Sequence, residues 1–415
     1  MSSIASRRAV ITGMGVVSAL GSSVDRFWNH LCQGVSGVHR IDTFEVKDAA
    51  CQVAATVSDL DLSTHFNRRE RKSYDRFTLL GLAAAEQAWD NAYLGQAPFP
   101  ERMAVLMGTG IGGISSYTEP YHALYGASPQ PLNAYTIPRI MNSSLSAAVA
   151  IRFGLHGPNL TLNTACSSGA NALGQALQWI RSGKVERVLC GGSEAPVTHA
   201  LLRTWESLGV LVRDRNETPE TACRPFDQER SGFVLAEGAA VLVLESLESA
   251  LRRGAPVHAE LVGYGANCDA KSLTHPDRES IAEAMRLALE DGGLFPDDID
   301  AINAHGTGTR INDPTEAQAI REVCGPRSAN LPVTANKSML GHSMGASSAL
   351  EAVASVLMVR EQQVPPTRNC TQLDPECPID PVADGVRPQR LRAVLSNSFG
   401  FGGSNAVLAF TPGGT

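Results

Sequence analysis

Residues 160–176 read LTLNTACSSGANALGQA, and residues 333–352 read VTANKSMLGHSMGASSALEA. Each stretch runs from a short strand-like segment through a turn into a helix of small residues. Set side by side from Cys166 and His342, four of eleven positions coincide: one Ser, one Gly and two Ala. A repeated strand–turn–helix unit points to a duplicated α/β layer. Its pseudo-twofold axis would bring two helix N-termini towards one centre. One carries a thiol and the other an imidazole.

Short β-branched runs alternate with helical patterns along the whole chain, which argues for α/β layers. Strands are expected at 8–12, 103–107, 160–164, 185–190 and 239–245, and again at 259–264, 299–304, 333–336, 393–397 and 406–410. Helices are expected at 24–33, 73–91, 167–182, 280–291, 313–324 and 343–361. The last contains ALEAVASVLMV, apolar all round, which predicts a buried helix. The duplication divides the chain into halves 1–255 and 256–415.

Composition sets the outer bounds. The 415 residues are 43% hydrophobic and 19% charged, an ordinary globular mixture that excludes disorder and coiled coil. The net charge is −7, which gives no support to a nucleic-acid partner. Nine cysteines lie scattered, with no C-x-x-C pair and no zinc-like spacing, so no metal is expected and a reducing, cytoplasmic setting is. No apolar run approaches the ~20 residues that span a bilayer. Arg7 and Arg8 precede an apolar stretch, yet Gly13 and Gly15 make it a first strand and turn rather than an export signal.

Cys166 lies where a strand hands over to a helix. Unpaired amides and the helix dipole there favour thiolate, so the sulfur is expected to be nucleophilic without a tightly coupled base. A cysteine is more commonly a small buried hydrophobe, and the strand–turn–helix context is what sets this one apart. His305, in INAHGTGTRIND, ends another apolar strand, with the hydroxyls of Thr307 and Thr309 beside it. Either histidine alone reads as structural. A thiol and two imidazoles, each after a strand in a Gly/Ser/Thr setting, read as a constellation. GFGGSN at 400–405 is either a hairpin turn or a loop free to aim an N–H inward for an oxyanion, and the two are compatible. GTGIGG at 108–113 fits G-x-G-x-x-G, but no clear helix and no acid ~20 residues on are expected after it, so a dinucleotide site is rejected. Arg68, Arg69, Arg71, Lys72 and Arg76 form a basic cluster, either a solvated helix face or a dock for an acidic carrier.

TACSSGAN, AHGTGT, NKSMLGHSMGA and NSFGFGGSN, in this order and spacing, resemble the decarboxylating (type I/II) β-ketoacyl-acyl carrier protein synthases of the thiolase superfamily. The resemblance spans the chain from RRAVITGMGVVSALG to the last strand. It implies the thiolase fold, two βαβαβαββ halves in five αβαβα layers, usually as a homodimer; a heterodimer with a related subunit is the variant. It implies an acyltransferase that condenses malonyl-carrier with an acyl group, extending fatty acids by two carbons. Substrates ride on the phosphopantetheine of an acyl carrier protein, and no separate cofactor is needed.

Carried over by motif, Cys166 is the acyl acceptor, and His305 and His342 act on the malonyl group. Lys337 stands beside the second histidine, with Glu316 as its acidic partner. Phe401 is the gating residue whose N–H joins that of Cys166 in the oxyanion hole, and Phe399 supports it. Thr307, Thr309, Thr274, Gly402 and Gly403 line the substrate path, while Arg68, Arg69 and Lys72 dock the carrier. Ser272 and Arg310 depart from the pattern near the substrate entrance. The alternatives are a type II polyketide or polyene ketosynthase and a non-catalytic chain-length partner, which typically lacks the cysteine. A thiolase would need a second cysteine between 395 and 410, where there is none.

Overall fold

In a computed structural model of the chain, residues 7–414 are described, apart from Pro98, Pro100, Glu101 and Ala127. Ten strands build the main sheet: β1 (Ala9–Ser18), β2 (Ala104–Gly108), β3 (Asn159–Leu162), β4 (Arg187–Glu194), β5 (Gly238–Ser246), β6 (Ala259–Cys268), β7 (Ala301–Asn303), β8 (Pro332–Thr334), β9 (Val394–Gly400) and β10 (Ser404–Pro412). Across the first half the spatial order is β3-β2-β4-β5-β1, and across the second it is β8-β7-β9-β10-β6. Within each half that is the same permutation: third, second, fourth, fifth, first. Directions repeat too. β2 runs parallel to β3 and β4, as β7 does to β8 and β9, while β5 and β10 are antiparallel to their neighbours. The two half-sheets pair where Val10 and Ile11 of β1 meet Glu260 and Ala259 of β6. A two-residue strand, Asp380–Pro381, extends the edge beyond β8.

Five helices fill the layers: α1 (Arg76–Asn91), α2 (Ser168–Arg181), α3 (Arg278–Gly292), α4 (Asn312–Cys324) and α5 (Ser347–Glu361). α2 and α5 lie together between the half-sheets, touching strands of both. α1 covers the outer face of the first half-sheet, and α3, with α4 against it, covers the second. The result is the five-layered, duplicated thiolase arrangement. Strands buried on both faces need continuous apolar runs, which is why AVLVL at 240–244 does not alternate. α5 has no solvent face, and every residue from Ser347 to Val359 is buried. Among the described residues, no helix is long and apolar enough to cross a membrane.

Three expectations need correction. The helix expected at 73–91 starts at Arg76, because Asp75 caps it and accepts from the Phe77 amide (3.2 Å), while residues 68–73 form a separate short helix. A helix, Ile114–Tyr125, does follow GTGIGG. The amides that would cradle a phosphate are nevertheless taken, since Gly110, Ile111 and Gly112 all donate to the Glu194 carboxylate (2.5, 3.1 and 3.2 Å). The internal echo also slips by three residues. Both inner helices follow a one-turn 3-10 segment, Ala165–Ser167 or Met344–Ala346, and each segment begins on a left-handed residue (Ala165 φ 52°, Met344 φ 43°). In the fold, therefore, Cys166 corresponds to Gly345, and His342 corresponds to Asn163.

Candidate active site

Cys166 is the second residue of the 3-10 turn that links β3 to α2. The preceding Ala165 has φ 52°, a conformation costing an L-residue roughly 1–2 kcal/mol, and the surrounding bonds hold it there. Ser168 Oγ donates to the Ala165 carbonyl (2.6 Å) and accepts from the Thr164 amide (2.9 Å). Asn171 Nδ2 donates to Thr164 Oγ1 (2.7 Å), and Asn171 Oδ1 accepts from Tyr264 of β6 (2.5 Å). The turn is thus braced from the second half.

His342 sits in the loop before α5. Its backbone bridges to the segment around Leu235, with its amide donating to Val234 O (2.7 Å). Its Nε2 lies 3.1 Å from Cys166 Sγ and its Nδ1 2.9 Å from Ser347 Oγ. His305 ends the segment after β7, and its ring stands edge-on to His342 with centroids 5.5 Å apart. Sγ and one nitrogen of each ring lie within 4.8 Å of one another. Lys337 Nζ is 3.3 Å from His305 Nδ1 and 2.7 Å from the His305 carbonyl, and it is ion-paired with Glu351.

The Lys337 ammonium can only donate, so His305 Nδ1 accepts and Nε2 carries the proton. The Ser347 hydroxyl can donate to or accept from His342 Nδ1. His342 can therefore present Nε2 bare to a thiol or protonated to an oxygen. Burial holds both histidines well below the ordinary imidazole range, and the Lys337 charge adds to it. The two rings are neutral. Burial also pushes the Cys166 thiol up to about 11, against the lowering effects of Lys337 and the Phe401 N–H. This corrects the expectation of a free-standing thiolate. Desolvation outweighs the Lys337 charge and the Phe401 N–H, and the sulfur sits beside the His342 ring. A thiophilic cation could span the three atoms, but the Lys337 ammonium beside them opposes it.

Glu316 is not the partner of Lys337. It accepts from the amides of His305 (2.8 Å) and Gly306 (2.9 Å) and from Asn397 Nδ2 (3.1 Å), so it fixes the His305 loop instead. The pairing acid is Glu351, inside the apolar run of α5. An acid at a core position implies a buried cation nearby, and that was its signal in the sequence.

Cys166, His305 and His342 line a cavity of about 280 Å³. Thr274, Thr307, Thr309, Arg310 and Ser272 line it, with Phe399, Phe401 and Gly403. The Thr307 and Thr309 hydroxyls are 2.9 Å apart. The Phe399 ring packs on His305 (5.6 Å) and the Phe401 ring on Trp205 (5.8 Å). Residues 401–403 form a three-residue hairpin turn between β9 and β10, with Gly402 and Gly403 at φ 82° and 79° as no other residue would readily allow. The turn also aims the Phe401 N–H at Cys166. Gly402 does not line the cavity; its amide donates to Leu273 O (2.8 Å) and ties the hairpin to the 271–275 loop. Trp205 and Phe233, which wall the cavity, carry no sequence signal beyond aromaticity.

Arg68, Arg69 and Lys72 lie away from the cavity lining, exposed on the Asn67-capped helix Arg68–Ser73, and join no ion pair among the described residues. Arg76 leaves that cluster, because it pairs with buried Glu237 (2.6 Å).

Residues 6–250 match the β-ketoacyl synthase N-terminal domain, and residues 258–371 match the β-ketoacyl synthase C-terminal domain. The chain is 39% identical over 413 residues to a 3-oxoacyl-[acyl-carrier-protein] synthase 2 of Synechocystis sp., covering 99% of each chain. It superposes on a chain of the ishigamide ketosynthase/chain length factor with a TM-score of 0.92 at 39% identity, covering 99% of this chain and 100% of that one. It superposes on a chain of AntDE:AntF, a type II PKS acyl-carrier protein in complex with its ketosynthase, with a TM-score of 0.90 at 32% identity, covering 98% and 99%. With both halves matched, over residues 6–250 and 258–371, and a relative 39% identical along nearly the whole length, the chain belongs to the β-ketoacyl synthase family.

Proposed function

We propose that this protein is a β-ketoacyl-acyl carrier protein synthase, an acyltransferase that joins a malonyl unit to an acyl group held on Cys166. The observation that carries the reading is the 3.1 Å approach of His342 Nε2 to Cys166 Sγ, with His305 in the same cluster.

First, Sγ attacks the acyl thioester of a carrier. As the new C–S bond forms, the thiol proton leaves Sγ and ends on the departing carrier sulfur. The N–H groups of Cys166 and Phe401 hold the oxyanion, and such a donor is worth ~3 kcal/mol. Second, malonyl-carrier enters. The C–C bond to its carboxylate breaks, carbon dioxide leaves, and the enolate oxygen is held by the Nε2–H groups of His305 and His342. Both rings are neutral, so they donate without first losing a charge. Third, the enolate carbon attacks the acyl-Cys166 carbonyl. The Cys166 sulfur leaves and takes a proton, and the carrier holds a 3-ketoacyl chain two carbons longer. No step calls for a metal or redox cofactor.

Thr274, Thr307 and Thr309 face the phosphopantetheine arm along the cavity. Arg68, Arg69 and Lys72 receive the acidic carrier protein, in keeping with their unpaired exposure. The halves 1–255 and 256–415 supply the nucleophile and the histidines respectively. A second copy of the chain covers the apolar groove between Ile114–Tyr125 and Thr136–Ile140, where Tyr121, Tyr125 and Ile137 stand exposed. Nine free thiols suit the reducing cytoplasm. The main reading is fatty-acid elongation. A type II polyketide or polyene pathway is the second, favoured by the likeness to AntDE:AntF, a type II PKS acyl-carrier protein in complex with its ketosynthase.

Incubation with acyl-carrier followed by intact-protein mass spectrometry tests the reaction. An acyl adduct is expected on the wild type and none on Cys166→Ala. Condensation at the wild-type rate by Cys166→Ala would overturn it.

A further inference from the structure

Three features relate the active-site turn to its counterpart in the second half. Gly345 occupies the place of Cys166, and Asn163 that of His342. The loop Thr109–Gly112 after β2 matches His305–Gly308 after β7, with Thr109 in the place of His305 and Gly112 (φ 72°) in that of Gly308 (φ 77°). The duplication therefore makes two sites, and in the second every reactive side chain is absent.

That second site is full. Glu194, at the end of β4, places its buried carboxylate there. Oε1 accepts from Thr109 Oγ1 (2.8 Å) and from the amides of Ile111 and Gly112 (3.1 and 3.2 Å). Oε2 accepts from the amides of Gly110 (2.5 Å) and Gly345 (3.1 Å). All five partners donate, which is the complement of a carboxylate rather than of an acid. Gly345 itself can carry no side chain there, since a Cβ would lie 2.4 Å from the Gly110 amide nitrogen.

The consequences for the two turns differ. The 109–112 loop has other ties: Gly112 N to Thr109 Oγ1 (3.1 Å) and Asn163 Nδ2 to Gly110 O (3.0 Å). The Gly345 amide has Glu194 as its acceptor. It adjoins left-handed Met344, which lines the cavity, and lies three residues from His342. We propose that Glu194 is a positioning residue for the condensation. By plugging the vestigial second site it anchors the Met344–Gly345 turn, and so holds His342 against the enolate oxygen. This rests on the reading of Cys166 and His342 given above.

Glu194→Gln keeps the shape and replaces an acceptor oxygen by a donor that faces amides. The two half-reactions are to be measured separately: Cys166 acylation by mass spectrometry and carbon dioxide release from malonyl-carrier. Displacing a catalytic group by about 1 Å costs on the order of 100-fold, so carbon dioxide release should fall at least about 10-fold, and acylation less than about 3-fold. A loss of stability alone would lower both in proportion. If Glu194→Gln does not fold, Thr109→Val removes one donor and should bias the half-reactions the same way, with Thr109→Ser restoring the balance. Equal losses in both half-reactions, or no loss in either, would overturn the proposal. Retained condensation in Cys166→Ala would instead overturn the reading beneath it.

Discussion

At the residue scale the decisive fact is that burial and charge act on the same four groups. Lys337 is a buried ammonium that favours the thiolate of Cys166, disfavours both imidazolium ions and leans on Glu351 for its own neutralisation. Burial raises Glu351 to about 7, so the pair stands only as a pair. Lys337→Ala leaves a buried, unpaired carboxyl and is expected to cost about 3–5 kcal/mol, read as a fall in Tm. It should also move Cys166 alkylation by iodoacetamide to still higher pH. In the wild type the alkylation rate should climb steadily above pH 8, as befits a thiol near 11, and a plateau by pH 7 would contradict this. Replacing His342 with Ala should abolish carbon dioxide release from malonyl-carrier, and normal release would remove it from that role. The motifs made Cys166, His305, His342 and Lys337 legible. They misassigned the acid, because Glu316 and Glu351 are both near in space and only three-dimensional packing says which one the ammonium meets.

Elements come next. Ranges such as Val24–Gln33 agree with the sequence reading to the residue, because Ser23 and Gly34 mark both ends with side-chain and left-handed caps. The sequence reading omits His199–Leu208 and Leu247–Arg253, although they end just as plainly at Gly209 and Gly254; the second is only 7 residues long. Ile114–Tyr125 was hidden by Pro120 inside it. The one-turn segments before α2 and α5 were invisible, and with them the true register of the repeat. These segments carry the strain, so Ala165→Gly should fold as well as the wild type. Ala165→Val, β-branched at φ 52°, should lose stability and acylation together, as thermal melts and adduct formation would show. The helix Arg68–Ser73 belongs to this scale as well. Reversing Arg69 and Lys72 to Glu should raise KM for carrier-bound substrate in a salt-dependent way and leave a small acyl thioester unaffected. Equal effects on both substrates would discard the docking role.

For the whole molecule, duplication explains why one site is enough. Two identical permutations of five strands bury two helices back to back, and the ends of those helices make two pockets. One is reactive, and the other is closed by Glu194. The buried neutral histidines couple this architecture to pH. Their folded-state pKa values are depressed, so their contribution is fully present above the unfolded value of ~6.5 and is lost as pH falls below it, because the unfolded chain takes up the protons. Tm should therefore drop between about pH 6.5 and 5, and less steeply in His305→Gln, as calorimetry would show.

The claim that Cys166 carries the acyl group between two carriers is best tested in one pulse-chase measurement. The protein is loaded from acyl-carrier, separated, and chased with malonyl-carrier under intact-mass detection. The adduct should map to Cys166 and vanish as a 3-ketoacyl-carrier two carbons longer appears; an adduct on another residue, or one that persists while product forms, would contradict it.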